Sequence, residues 1–121
     1  MAKSQEGIVI SWPASGDLSS HRYKFVKQTS TGIALAGDGE RFIGILQNKP
    51  AALGEEAAVM IAGLSKVKQA GTLTVGASIA PDASGLASAA SAGDDGSCTL
   101  MENGGGANAI GSCVLHTGCQ A

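Results

Sequence analysis

At 121 residues with a net charge of −2, the chain has the size of one domain and no overall positive field that would draw it to nucleic acid. Aromatics are 3% of the residues while Gly numbers 18, so the core must be built from Ile, Val, Leu and Ala, whose larger members contribute about 1.5–3 kcal/mol each when buried. No apolar run approaches the roughly 20 residues of a membrane-spanning helix, and the opening MAKSQEGIVISW lacks a signal-peptide core. A chain made in a cytoplasm, with no membrane partner, is expected. Its three cysteines are an odd number and form no dense framework, so disulfides are not expected to hold it together.

In chain order, residues 1–7 are polar and read as a flexible N-terminal arm. Ile8, Ile10 and Trp12 share one face of a first strand, because side chains alternate along a strand. Gly16-Asp17 marks a loop. A second strand is expected over residues 21–28, HRYKFVKQ, with Tyr23 and Phe25 on one face and Arg22, Lys24 and Val26 on the other. Residues 32–36 form a short strand, and Gly37-Asp38-Gly39 a tight turn. Residues 41–47 read as a strand with Ile43 and Ile45 opposed to Phe42 and Leu46. Pro50 closes that stretch, since proline cannot donate to a ladder.

The centre of the chain is residues 54–81, GEEAAVMIAGLSKVKQAGTLTVGASIAP. Its apolar positions step by two and its glycines fall at the ends of short runs. Three strands are expected: residues 56–62 with Val59 and Ile61 on one face, residues 64–69 with Val67 between Lys66 and Lys68, and residues 73–79. Gly63 and Gly71 divide them and Pro81 ends the last. The Ala/Ser/Gly-rich stretch that follows is expected to be extended, despite the helical propensity of its alanines. Residues 98–101 and 109–115 are further strands, flanking a flexible glycine loop over residues 102–108. The whole reads as all-β: a small single-domain β-sandwich or β-barrel over residues 8–121, preceded by the arm.

Little in the sequence carries chemistry. Cys113, His116 and Cys119 have the spacing C-x2-H-x2-C, and Cys98 is a conceivable fourth ligand. A structural zinc site takes two close pairs on separate turns, and three ligands at one chain end supply no second pair. No metal or other cofactor is therefore expected. There is no G-x-S-x-G elbow, and neither His21 nor His116 has an ordered base and nucleophile beside it. Glu55-Glu56 and Asp94-Asp95 are adjacent carboxylates that would point apart. The protein is expected not to be an enzyme. Arg22, Lys24 and Lys27 interleave with Tyr23 and Phe25, but an RNA-reading sheet needs basic and aromatic residues on one face. Strand alternation separates them, so no nucleic-acid partner is expected. Gly104-Gly105-Gly106 lacks the Gly-Lys-Ser/Thr ending of a phosphate loop.

The order of these motifs resembles a known family. Residues 42–50 form a strand running into Asn48-Lys49-Pro50, followed by a Gly-Glu turn. Val59 to Val67 then matches V-x-[IV]-x-G-[LV]-x-[KR]-V, and Ala70 to Gly76 matches A-G-x-[IL]-x-x-G. In this order, across residues 23–85, they resemble the capsid decoration (cement) proteins of tailed bacteriophages. Ala109-Ile110-Gly111 is similar to that family's late strand. The pattern departs at residues 119–121, where the family continues into another apolar strand. The resemblance implies a structural virion protein, made in the bacterial host cytoplasm. It would bind the major capsid protein on the outer surface of an icosahedral head, as a homotrimer, and stabilise the expanded shell. Capsid contacts would come from the arm, Ala2, Lys3, Ser4, Gln5, Glu6 and Gly7, together with Trp12. A different class, a host-surface or glycan-binding module, would need an exposed aromatic platform, for which Trp12 and Tyr23 are the candidates.

Overall fold

The computed structural model of the protein describes residues 7–90 and 98–115. Nine strands and no helix run through these residues: β1 (Ile8–Pro13), β2 (Phe25–Thr29), β3 (Gly32–Leu35), β4 (Gly44–Leu46), β5 (Glu56–Lys68), β6 (Ile79–Pro81), β7 (Ala87–Ala89), β8 (Cys98–Glu102) and β9 (Ile110–Leu115). The fold is all-β.

The 13-residue β5 organises the sheet. Residues 56–62 pair with β1, Val59 and Met60 also pair with β4, and residues 63–68 pair with β9. All these pairings are antiparallel. Two separate strands divided at Gly63 were expected here. Instead the ladder runs through Gly63, which takes φ +118° and pairs with Leu115. Before it, Ala57, Val59 and Ile61 serve one apolar cluster; after it, Val67 at the same parity serves the other. A residue with a Cβ is disfavoured at that φ, so glycine re-aims the strand here rather than ending it.

The two clusters lie on opposite faces of β2, β4 and β5. Phe25, Ile45 and Met60 join the larger cluster, while Val26, Leu46 and Val59 join the smaller. β8, β9 and the β6–β7 hairpin supply Leu100, Cys98, Cys113, Leu115, Ile79 and Ala87 to the larger cluster. Phe25 and Phe42 meet within it as a tilted pair, 4.4 Å between ring centroids at 52°. The smaller cluster fills a five-strand ring, β1–β5–β4–β2–β3. A parallel bridge between Ala14 and Ile33 closes that ring, with Ser15 N donating to Ile33 O at 2.8 Å. The ring is the barrel-like part of the fold.

Three other expectations change. The second strand begins at Phe25 instead of His21, because Tyr23 lies at φ +68° and the chain before it is a turn, with His21 N on Leu18 O and Lys24 N on His21 O. The strand expected over residues 41–47 shrinks to β4. Phe42 falls with Ile45, and Ile43 with Leu46, so the alternation breaks at Gly44, whose α-carbon is pressed against the Met60 carbonyl. Residues 73–77 form a loop in place of a strand, with Val75 exposed.

The glycine-rich loop after β8 is held by a buried side chain. Gln69 Nε2 donates to Asn103 Oδ1 at 2.7 Å and to Gly71 O at 2.8 Å, while its Oε1 accepts from Gly104 N at 2.6 Å. Thr72 Oγ1 donates to Gly105 O, and Asn108 N donates to Gln69 O. Flexibility was the expectation; a buried amide with three partners fixes the loop instead.

Candidate functional site

β1 is the exception to the two-sided burial of the sheet. IVISWP pairs with β5 from Ile8↔Ala62 to Pro13↔Glu56, with a register shift between Ile8 and Val9. All six of its residues are exposed. Ile8 is 58% exposed, Val9 48%, Ile10 36% and Trp12 51%. Alternation normally buries one face of a strand and solvates the other. Here both faces carry large apolar side chains and neither is covered.

The strand also borders a groove. Ile10 and Trp12 from β1, Gln28 from β2, Ile33 from β3, Ile43 and Ile61 line a cleft of ≈ 570 Å³. No charged side chain lines it. The groove sits where the ring is unzipped: Ala14 bridges Ile33, but among the described residues β1 itself pairs only with β5. The free edge of β1 therefore presents backbone donors and acceptors beside an apolar cleft. That combination receives an extended or loop segment of another chain, with main-chain hydrogen bonds for affinity and pockets for alternate side chains. Trp in such a position is the residue type most often found to anchor an interface.

Of the arm residues, Ala2, Lys3, Ser4, Gln5 and Glu6 lie outside the described residues. Gly7 is exposed, and its α-carbon packs on the Ala62 carbonyl where a side chain would not fit. Trp12 is on the surface. Ile10, Gln28, Ile33, Ile43 and Ile61 were not picked out as functional. Ile10 was legible as a neighbour of Trp12 on one strand face, but the others meet it only through strand pairings, Ile61 by β1–β5 and the rest around the ring by β4–β5, β2–β4 and β2–β3.

The weak candidates for metal ligands are only partly placed. Cys113 is fully buried on β9 in the larger cluster, and Cys98 is buried in the same cluster; neither is in a disulfide. His116 and Cys119 lie outside the described residues. Among the described residues no three His, Cys, Asp or Glu side chains gather as metal ligands. The aromatic platform required of a glycan-binding module does not assemble, because Trp12 and Tyr23 line different pockets and Tyr23 is packed against the larger cluster. No helix among the described residues is long and apolar enough to cross a membrane. Comparison of the sequence with protein-family models and with curated proteins finds no match.

Proposed function

We propose that this protein is a non-catalytic decoration protein that binds the outer surface of an icosahedral phage head and stabilises the expanded shell, with the major capsid protein as partner and a homotrimer as its assembled form. The observation that carries the reading is β1, a strand with Ile8, Val9, Ile10 and Trp12 all exposed, placed directly after the polar residues 1–6. An apolar strand with a free edge is a liability for a protein that stays alone in solution. It is useful to one whose working state is docked on a lattice, where many copies make weak individual contacts add. The motif order of residues 23–85 supplies the kind of partner, and the groove beside β1 supplies a place for it.

The test is co-sedimentation of the purified protein with undecorated, expanded heads. Saturable binding at a fixed number of copies per head is expected, with occupancy lost on deletion of residues 1–7 and on the double change Ile10→Ser, Trp12→Ser. Full occupancy by both variants would sink the reading. Absence of binding by the folded wild-type protein would sink it as well.

A further inference from the structure

The chain is acidic overall, yet five of its eight Lys and Arg residues, Arg22, Lys24, Lys49, Lys66 and Lys68, gather around Tyr23. The strand alternation that would have parted Arg22 from Tyr23 is absent, because residues 21–24 form a turn. The Arg22 guanidinium lies over the Tyr23 ring, 4.6 Å from its centroid, and Lys66 Nζ is 5.9 Å from the same centroid. Arg22 Nε donates to Gln47 O at 3.0 Å. Its two Nη groups have no acceptor among the described residues. The guanidinium is thus held in place by its stem with its fork unused, the arrangement that suits bidentate recognition of an oxyanion.

A pocket of ≈ 350 Å³ opens beside it, lined by Ser19, Ser20, Arg22, Tyr23, Lys49, Lys68 and Ile110. Among the described residues no carboxylate forms an ion pair with Arg22, Lys49 or Lys68. Two acids border the cluster without an ion pair to Arg22, Lys49 or Lys68: Asp17, bonded to the amide and side chain of Ser19 in the pocket wall, and Asp82, which acts on Lys24. Asp17 Oδ1 accepts from Ser19 N, and Asp82 Oδ1 accepts from Ser84 N and Leu86 N. The uncompensated charge is felt inside the cluster. Lys24 is held below its usual range by burial and then by Lys68, against a smaller opposing pull from Asp82.

We propose that this pocket binds a phosphate group, with Arg22, Lys49 and Lys68 as its charge partners and the Ser20 hydroxyl as a further donor. Charge selects phosphate over carboxylate: three unpaired cations line the pocket, and a phosphate monoester near neutral pH brings about −1.5 to −2, where a carboxylate brings one charge. Arg22 already lies over the Tyr23 ring, and the other polar groups lining the pocket are cations and hydroxyls, so the phosphate and not a nucleobase is what is recognised. The proposal does not rest on the decoration reading.

The experiment is a titration of the wild-type protein followed by backbone amide NMR, at constant ionic strength, with orthophosphate, acetate and a short oligothymidylate as separate ligands. Orthophosphate is expected to give saturable shifts confined to the amides of residues 19–24, 49 and 68, and acetate none. The variants Arg22→Gln, Lys49→Gln and Lys68→Gln are each expected to weaken binding by about tenfold. Lys49 is exposed, so its variant keeps the test open if the others fold poorly. An oligothymidylate that binds through the same residues, and more tightly than orthophosphate, would identify a nucleic-acid backbone as the source; orthophosphate alone would identify free phosphate. Absence of saturation by phosphate, equal shifts with acetate, or unchanged affinity in Lys49→Gln would overturn the proposal.

Discussion

Gln69 and Asn103 are joined by a 2.7 Å hydrogen bond across 34 positions of sequence, and this bond ties the end of β5 to the loop that carries three consecutive glycines. Gln69 is fully buried and uses both ends of its amide. The entropy that a glycine run would keep is given up because the loop backbone finds fixed partners.

Gln69→Leu should therefore be costly although it is apolar and similar in size. It strands the Asn103 and Gly71 acceptors and the Gly104 donor together. A loss of about 2–3 kcal/mol in unfolding free energy is expected, read by urea denaturation. The Gly104 amide should exchange with solvent faster in the same variant. A change below about 0.5 kcal/mol would mean that water replaces the side chain at no penalty, and that the loop is not held by it.

Gly44→Ala tests the crossing of β4 and β5. An added methyl would meet the Met60 carbonyl and, at 2.8 Å, Val59 Cγ1. Backbone cannot yield as a side-chain tip can, so overpacking of about 1–3 kcal/mol is expected. Gly54→Ala is the contrast, since open space surrounds that position and only its φ of +88° opposes the change. Thermal melts of both variants should rank Gly44→Ala as the more damaging.

The pH dependence of stability should contain a His21 component. Burial first, then Lys24, hold this imidazole below its ordinary 6.5, with Lys68 adding to the effect and Asp17 opposing it. Lys24 Nζ lies 3.1 Å from His21 Nδ1; since ammonium only donates, Nδ1 accepts and the ring is neutral. A group whose folded pKa is depressed binds more protons when unfolded, so stability falls as pH drops from 6.5 through the folded value. Urea midpoints at about pH 7.5 and about pH 5.5 lie on either side of 6.5, where the loss begins. His21→Gln should flatten the difference between them, and an unchanged difference would place the proton elsewhere.

How far these features were legible depends on which interactions are local. Period-two alternation located β1 and the shared face of Val59 and Ile61, because pleating acts between neighbours in sequence. Tyr23 at positive φ was not legible, since nothing in HRYKF marks a tyrosine for a conformation that glycine and asparagine favour. The same holds for Gly63. A glycine between apolar runs reads as a break, and only pairing with Leu115, 52 residues later, turns it into a bend within one ladder. Ile33 and Ile61 could not be joined to Trp12 from sequence: Ile61 comes near it through the β1–β5 pairing, and Ile33 through four strand pairings around the ring and the Ala14 bridge. The basic pocket was hidden for the same reason: Arg22, Lys49 and Lys68 are spread over three segments.

Trp12 offers a direct reading of the docking surface because it is the single tryptophan of the chain. At 51% exposure, its emission in the free protein should be red-shifted and readily quenched by iodide. Trp12→Ala should change the unfolding free energy by less than about 0.5 kcal/mol, since the side chain belongs to neither buried cluster. If the groove beside β1 takes up a capsid segment, addition of expanded heads must move the emission to the blue and protect it from iodide. This outcome separates two questions that occupancy alone leaves joined. Heads that bind the protein while Trp12 stays fully quenchable would keep the decoration reading and remove β1 from the interface. Blue-shifted, protected emission that is lost on Ile33→Ser or Ile61→Ser, with folding checked by the β-sheet circular dichroism signal, would place the partner in the groove itself.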